Sequence, residues 1–315
     1  MKILLALLFA IVAGRTPAYG SSAGSSGFEI AWGTTTNGWQ EKLWCYKVVP
    51  QEFPPAVISN LLALSGFRMQ ERTNKLGEPP FRDKSILFFR NSEQSKYLEI
   101  DPVLGWIDYH DSKAEASSQL QKVEGIPNEQ ETTRLGLKYL RLCGIEVSQI
   151  ATKPSTCDLD LHWEKGTLKY LDQETQKEIT VTNNYGILFN RCIDGVRVQG
   201  FGRGGGVRIR FGNNARVIDL QVCWRHLKPY ELKETPSPQQ IGEQLRMGKV
   251  PLHPLGSYNI LPAGAIKRLT VKKCTFFYEG KYQNEPMDFV RPYVSFEGTA
   301  NTGQGETDVW IEYRF

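Results

Sequence analysis

Three segments of this chain begin at a proline and end at a glycine, and each places apolar residues at helical spacing. They run from Pro54 to Ser65 with Gly66 as the stop, from Pro127 to Cys143 with Gly144 as the stop, and from Pro238, capped by Ser237, to Gly248. Proline lacks the N–H that a first helical turn leaves unpaired, and glycine accepts the left-handed backbone at a helix exit. The pattern therefore predicts three helices.

Between these helices the hydrophobic period changes to two, which is typical of strands with one buried face. The predicted strands are Ser85–Arg90, Lys96–Ile100, Gly105–His110, Leu159–Trp163, Thr167–Asp172, Ile179–Thr182, Tyr185–Asn190, Val196–Gly200, Val207–Gly212, Arg216–Trp224, Ile266–Tyr278, Val290–Phe296 and Asp308–Phe315. Consecutive strands joined by short turns pair antiparallel, and a helix can cover one face of a sheet. The sequence therefore predicts an α+β fold of antiparallel curved sheets, each backed by a helix.

The first 20 residues have the pattern of a secretory signal peptide. Lys2 precedes an apolar run from Ile3 to Ala13, and Ala18-Tyr19-Gly20 offers small residues for cleavage. The run is about half the ~20 residues that span a bilayer, and no later segment is apolar for ~18 residues. We expect an exported protein, secreted or periplasmic, with no membrane span in the mature chain.

The mature chain is expected to contain a short leader and three modules. Residues 21–35 open with a Ser- and Gly-rich stretch that predicts a flexible leader. An N-terminal α+β module is predicted over 36–125 and a central β-rich module with one helix over 126–235. A C-terminal helix followed by antiparallel strands is predicted over 236–315.

The charge balance argues against nucleic acid as a partner. The chain has 38 Lys and Arg against 34 Asp and Glu, and removing Lys2 and Arg15 with the signal peptide lowers the net charge from +4 to +2. A nucleic-acid-binding chain usually carries a strong basic excess. The 40% hydrophobic and 23% charged residues are typical of a globular protein rather than a disordered one.

An even number of cysteines in an exported protein favours disulfide bonds. The six are Cys45, Cys143, Cys157, Cys192, Cys223 and Cys274. Six cysteines allow 15 pairings, and the local pairs Cys143–Cys157 and Cys192–Cys223, leaving Cys45–Cys274, are our expectation. The alternative is that several are buried free thiols. No C-x-x-C motif occurs, so a zinc ribbon or a thioredoxin-type site is not supported.

A basic region after residue 190 gives the candidate binding residues. They are Arg197, Arg203, Arg208, Arg210 and Arg216. Strand alternation places Arg208 and Arg210 on the face opposite to Val207, Ile209 and Phe211. Guanidinium groups on an exposed sheet face would bind the carboxylates or phosphates of an acidic polymer or protein partner. The alternative is a face neutralised by acidic neighbours from elsewhere in the chain.

The sequence contains no recognisable catalytic, cofactor or metal motif. Glycines at 200–206 precede a strand and lack the Lys-Ser/Thr of a phosphate loop, so a hairpin tip is the simpler interpretation. No H-E-x-x-H or G-x-S-x-G motif occurs. His110 beside Asp108 and Asp111 is the one local cluster of a histidine with acids on both sides. We therefore predict no cofactor and no metal, and the sequence identifies no catalytic residue.

The stretch Asp194–Lys249 resembles a known family. The segments that carry the resemblance are the strands Val196-Arg197-Val198-Gln199-Gly200, Val207–Gly212 and Ala215–Leu220, the helix Ser237–Gly248, and the tail Val290–Phe296 as a closing strand. This order resembles modules of the PepSY type, the peptidase-propeptide domains, and the related extracytoplasmic regulatory domains of the YycH/YycI kind. The resemblance implies PepSY-like or cystatin-like modules that bind or inhibit a peptidase, or regulate from outside the membrane, without catalytic residues.

These observations favour binding over catalysis. We expect an exported non-enzymatic binding or regulatory protein that modulates a peptidase or an envelope partner, with strand addition at an exposed sheet edge as the natural mode. One alternative is a secreted hydrolase of polysaccharide or peptide, with its site in a cleft between modules. Another is an envelope-associated protein whose arginine face holds an acidic polymer.

Overall fold

The computed structural model describes residues 27–33, 39–50, 53–73, 86–120, 123–153, 158–173, 175–200, 205–281 and 285–315. The helices are α1 (Pro55–Ser65), α2 (Ser112–Leu120), α3 (Glu129–Leu142) and α4 (Pro238–Arg246). The strands are β1 (Glu29–Trp32), β2 (Lys42–Val49), β3 (Leu87–Arg90), β4 (Lys96–Asp101), β5 (Trp106–Asp111), β6 (Leu161–Leu171), β7 (Glu178–Asn190), β8 (Cys192–Ile193), β9 (Val196–Gly200), β10 (Gly206–Phe211), β11 (Val217–Cys223), β12 (His226–Glu234), β13 (His253–Pro254), β14 (Arg268–Gly280), β15 (Phe289–Val290), β16 (Pro292–Asn301) and β17 (Glu306–Arg314).

The described strands form three sheets. The central sheet has the order β3-β4-β5-β11-β10-β7-β6 and is antiparallel throughout. The C-terminal sheet has the order β13-β17-β16-β14-β9-β8, with β1 added parallel to β14. The small sheet has the order β12-β2-β15. The fold is therefore α+β, as predicted, with antiparallel pairing in most ladders.

One face of the central sheet is packed against α1 and α3. Leu61 of α1 and Leu140 of α3 are fully buried in one cluster with Phe89, Ile187 and Ile209 of the sheet. These apolar residues alternate along their strands, so the neighbouring positions point to the other face. That second face is largely polar and is described below.

The C-terminal sheet is covered by α4 and is continuous with the N-terminal β1. Ile241 and Leu245 of α4 are buried against Val294 and Phe296 of β16. Trp32 of β1 packs edge-on against Phe296 with ring centroids 5.5 Å apart. Residues 29–32, predicted as part of a flexible leader, therefore form an ordered strand; residues 21–26 lie outside the described ranges.

The sheets cross the boundaries of the predicted modules. β5, from the predicted N-terminal module, pairs with β11 of the central one through five residue pairs. β2 pairs with both β12 and β15, and β9 pairs in parallel with β14. The boundaries near residues 125 and 235 thus fall between strands that belong to the same sheets.

The three predicted helices form where their end signals indicate. Gly66 and Gly144 both have φ of 74°, the left-handed exit that glycine accepts. Ser237 accepts a hydrogen bond from the Gln240 backbone N–H, which completes a capping box at α4. α3 starts at Glu129, two residues later than predicted, because Asn128 accepts the Glu131 N–H as N-cap.

Several strands differ from the sequence-based expectation. The two strands predicted over 159–172 are one continuous strand, β6, and the two predicted over 179–190 are one strand, β7. Between β10 and β11 the chain turns at Gly212-Asn213-Asn214, with Asn214 at φ 54°. The sequence did not predict α2, β1, β2, β8, β12 or β13.

Candidate functional site

The face of the central sheet turned away from α1 and α3 carries a two-dimensional array of polar side chains. Registered pairing places Arg210, Asp219 and His110 side by side across β10, β11 and β5. The next row holds Arg208, Gln221 and Asp108. We call the polar face the set Tyr97, Glu99, Asp108, His110, Glu164, Arg208, Arg210, Asp219 and Gln221.

The arginines of the polar face are neutralised by carboxylates. Arg208 Nε donates to Glu164 Oε2 at 2.6 Å, and its Nη1 lies 3.4 Å from Asp219 Oδ2. Arg210 Nε donates to the same Asp219 oxygen at 3.3 Å and its Nη1 to Glu115 Oε1 at 3.0 Å. The five side chains form an ion-pair chain across β6, β10, β11 and α2. Asp219, at its centre, is 3% exposed.

The remaining candidate arginines do not join this array. Arg216 Nη2 binds Asp111 Oδ2 at 2.7 Å, and Arg197 Nη1 binds Asp160 Oδ2 at 2.9 Å. Arg203 lies outside the described residues. The structure therefore brings together two of the five candidates, Arg208 and Arg210. Every described candidate has an acidic partner, which is the second of the two interpretations of this basic region.

Asp108 is a carboxyl of the polar face whose pKa is raised well above its ordinary value. Burial raises the pKa of Asp108 to about 6, with the charge of Asp219 acting in the same direction, while hydrogen bonds from Tyr97 and Gln221 oppose the rise. The Tyr97 hydroxyl donates to Asp108 Oδ2 at 3.0 Å. Asp108 Oδ1 and Gln221 Oε1 are buried with no hydrogen-bond partner. A carboxyl group of this kind is suited to hold a proton near neutral pH.

The two acids that flank His110 in the sequence lie in different places. Asp108 lies on the polar face, whereas Asp111 Oδ1 accepts the Ala114 backbone N–H at the start of α2. His110 Nε2 instead faces Glu115 Oε2 of α2 at 3.7 Å. Sequence reasoning missed Glu115 and Glu164, because α2 has no apolar stripe and β6 was read as two strands.

The five described cysteines show no sign of nucleophilic activation. The five described cysteines are free thiols in the structure, so neither Cys192–Cys223 nor Cys45–Cys274 is formed there. Cys157, the expected partner of Cys143, lies outside the described residues, and the disulfide framework stays a prediction. Burial raises the pKa of all five described thiols, to about 12 for Cys143 and Cys274. Reactive cysteines require the opposite shift.

Two long strands lie at sheet edges, and their edges differ. β6 has eleven residues, and no described strand pairs with its outer edge. β12 has nine residues but contains Pro229 and a β-bulge at Tyr230, which has no partner in the pairing with β2. The bulge in the β6–β7 pairing lies at Asn183 of the inner strand β7, not on the edge strand. The other edge strands in the described sheets have two to four residues.

The described ranges contain neither a metal-ligand cluster nor a helix that could span a membrane. No group of three or more His, Cys, Asp and Glu side chains there is arranged to hold a metal ion. Among the helices that the structure describes, none combines the length and apolarity needed to cross a bilayer.

Comparisons with known proteins identify no family. No family model matches the chain, and no curated protein sequence matches it. A solved structure of an uncharacterized protein from Eubacterium rectale is similar to this chain with a TM-score of 0.46 and 11% sequence identity. The match covers 91% of this chain and 87% of that protein.

Proposed function

We propose that this protein is an exported, non-enzymatic binding protein that recognises an extended polypeptide segment of its partner by strand addition at the outer edge of β6. The observation that carries the proposal is the eleven-residue β6 edge, which no described strand covers. A strand with unpaired backbone donors and acceptors is a template for another chain, and natural proteins usually shorten, bulge or cover such edges.

The contrast with β12 supports the choice of β6. A proline and a bulge on an edge strand remove donors and bend the strand, which disfavours pairing with a second chain. β12 has both features, whereas β6 has neither on its own chain. The β12 edge is therefore poorly suited to pair with a second chain, whereas the β6 edge is suited to it.

The side chains of β6 indicate the chemistry of the partner segment. Trp163, Tyr170 and Leu171 are exposed apolar residues of this strand, and Lys165 and Lys169 are exposed basic ones. Cross-strand pairs favour aromatic contacts and opposite charges. A partner strand with apolar residues and at least one acidic residue therefore fits this edge. A peptidase or an envelope protein, the partner class implied by the resemblance to PepSY-type modules, is consistent with this mode.

The polar face argues against the alternative in which an arginine face holds an acidic polymer. Arg208 and Arg210 share Asp219 and each holds a second carboxylate, so an acidic polymer would have to displace four existing ion-pair contacts. Export itself rests on residues 1–20, which lie outside the described ranges. Sequencing the N-terminus of the protein recovered from the medium or periplasm tests it, with Ser21 expected as the first residue.

The strand-addition proposal is tested with peptides selected by the protein. A random-peptide phage library is panned against the exported chain, and the affinity of the enriched peptide is measured by fluorescence polarisation. Strand addition predicts that N-methylation at alternate peptide residues abolishes binding in one register and leaves it intact in the other, because successive N–H groups point to opposite sides of a strand. The Tyr170→Glu variant should bind at least about tenfold more weakly.

Tyr230→Glu is the matched control. Tyr230 is an exposed tyrosine of the protected edge β12, 58% exposed against 46% for Tyr170. This variant should bind the peptide with unchanged affinity. Equal losses in both variants, or an equal effect of N-methylation in the two registers, would exclude strand addition at β6.

A second candidate function, hydrolysis of peptide or polysaccharide, is favoured by Asp108. A carboxyl whose pKa is raised to about 6 in a half-buried polar cluster has the property required of a general acid. Turnover of chromogenic peptide and polysaccharide substrates is compared between the wild type and Asp108→Asn. The binding proposal expects no turnover above that of the variant. A rate that falls at least about a hundredfold in Asp108→Asn would establish the hydrolase instead.

A further inference from the structure

Arg191 is a half-buried arginine that pairs with no acidic side chain among the described residues. It lies between β7 and β8, where the chain passes from the central sheet to the C-terminal sheet. Its Nη1 donates to the Arg225 carbonyl oxygen at 2.6 Å, and its guanidinium carbon lies 4.8 Å from the centroid of the Trp224 ring. Its Nε is buried with no hydrogen-bond partner. Burial lowers the pKa of Arg191 to about 10, and no carboxylate offsets this effect.

A small cavity lies beside Arg191 at the junction of the three sheets. Its volume is about 20 Å³, and Arg191 and Arg225 both line it. Arg225 is 5% exposed and donates through Nη2 to the Glu285 carbonyl oxygen at 2.6 Å and through Nη1 to the Met287 sulfur at 3.1 Å. Two arginines thus line one small pocket that is partly open to solvent.

The neighbouring ionisable groups do not supply the missing negative charge. Cys223 also lines the cavity, but burial raises the pKa of its thiol, so the neutral form dominates near pH 7. Glu279 is the acidic residue of the lining, and its Oε1 is bound to Arg314 Nη1 at 2.8 Å. A guanidinium does not lose its proton near neutral pH, and a charge that is largely removed from water is stabilised by a counter-charge.

We propose that the cavity lined by Arg191 and Arg225 is a binding site for a single halide ion, with chloride as the natural occupant. The volume admits about one water-sized particle, which favours a monatomic anion over phosphate, sulfate or carboxylate ligands. A halide accepts hydrogen bonds from several N–H donors at once and supplies one negative charge. The buried Nε of Arg191 and the absence of a carboxylate on this residue are explained by such an ion.

The ion would join the three sheets. The lining includes Ile193 and Val198 of the C-terminal sheet, Cys223 of the central sheet, and Leu227 of the small sheet. A ligand that binds the folded state and not the unfolded state stabilises it in proportion to the logarithm of its concentration. The stability of the protein should therefore depend on chloride beyond the effect of ionic strength.

Anomalous scattering from bromide tests the site directly. Crystals of the wild-type protein are grown or soaked in sodium bromide, and an anomalous difference map is calculated at the bromine edge. A peak within about 3.5 Å of guanidinium nitrogens of Arg191 or Arg225 is expected. A cavity that holds only water in bromide would overturn the proposal.

Thermal unfolding tests the same site in solution. The wild type is compared in sodium chloride and in sodium gluconate at equal ionic strength, because gluconate is too large for the cavity. The Tm should be about 2–4 °C higher in chloride. Arg191→Met should lose this difference, whereas Arg197→Met, which removes a surface arginine paired with Asp160, should keep it.

The bromide experiment uses only the wild-type protein, so it tests the halide site even when a variant folds poorly. If Arg191→Met does not fold, the bromide map of the wild type stands alone as the test. Equal Tm values of the wild type in chloride and gluconate, or a chloride effect of unchanged size in a folded Arg191→Met variant, would contradict the halide site.

Discussion

Asp219 is the residue on which the charge balance of the polar face depends. Its carboxylate is almost fully buried and is shared by Arg208 and Arg210, which retain Glu164 and Glu115 as second partners. Two arginines and three acids are connected in one array, and both outer acids, Glu164 and Glu115, remain partly exposed to solvent. The sequence pattern places the arginines on one face, but their partners come from three other elements.

Replacing Asp219 with asparagine should destabilise the protein by about 1–3 kcal/mol, because it leaves both arginines with one acid each in a partly buried site. Asp160→Asn is the control, since the Asp160–Arg197 pair is solvent-exposed and should contribute about 0–1 kcal/mol. The free energy of unfolding in urea measures both effects. Equal losses of unfolding free energy in the two variants would show that the ion pairs of the array contribute no more than an exposed pair.

Asp108 should make the stability of the protein depend on pH. Its pKa is about 6 in the folded state and about 3.9 in an unfolded chain. Between these values the folded state binds more protons, so stability falls as pH rises through this window. Asp108→Asn removes the titration, and the variant should gain about 1–3 kcal/mol relative to the wild type between pH 4 and pH 8. A difference in unfolding free energy that is the same at both pH values contradicts this assignment.

At the scale of elements, two helical glycines have opposite environments. A Cβ on Gly136 of α3 would lie 2.8 Å from the Phe189 ring and 3.0 Å from Ile187, both in the fully buried core. A Cβ on Gly242 of α4 would lie 3.4 Å from the Ile30 side chain, an ordinary contact. The close approach of α3 to the central sheet therefore depends on the missing side chain.

Gly136→Ala should cost about 1–2 kcal/mol, because overpacking outweighs the gain in helix propensity. Gly242→Ala should instead stabilise by about 0.5–1 kcal/mol through propensity alone. Urea unfolding of the two variants measures the difference in sign. Stabilisation by Gly136→Ala would show that α3 can move away from the sheet without loss.

Elements with local signals could be predicted from the sequence, and elements without them could not. The ends of α1 and α4 were predicted because proline, serine and glycine act within one turn. α2 was missed because its mean composition is polar, and its start depends on a hydrogen bond to the buried Asp111. β12 was missed because seven of its nine residues are exposed and one of them is a proline, so it has no buried alternating face.

At the scale of the whole molecule, long-range pairing dominates the architecture. β1 and β14 pair although about 240 residues separate Glu29 from Arg268. β2 joins strands from the predicted central and C-terminal modules in one small sheet. No local pattern encodes such partners, so the sequence predicted the fold class and not the order of strands. The three predicted modules consequently share their sheets.

The fragment 126–235 should therefore fail to fold when it is expressed alone. It would lose β5 from the side of β11, β2 from the side of β12 and β14 from the side of β9. Exposed strand edges and a core without Phe89, Leu98 and Ile107 cannot offset the entropy of ordering the chain. Circular dichroism and NMR should report an unfolded or aggregated fragment, whereas the full chain unfolds in one transition seen equally by tryptophan fluorescence and circular dichroism. A fragment with dispersed amide resonances and cooperative unfolding would mean that the shared sheets are contacts between independent domains.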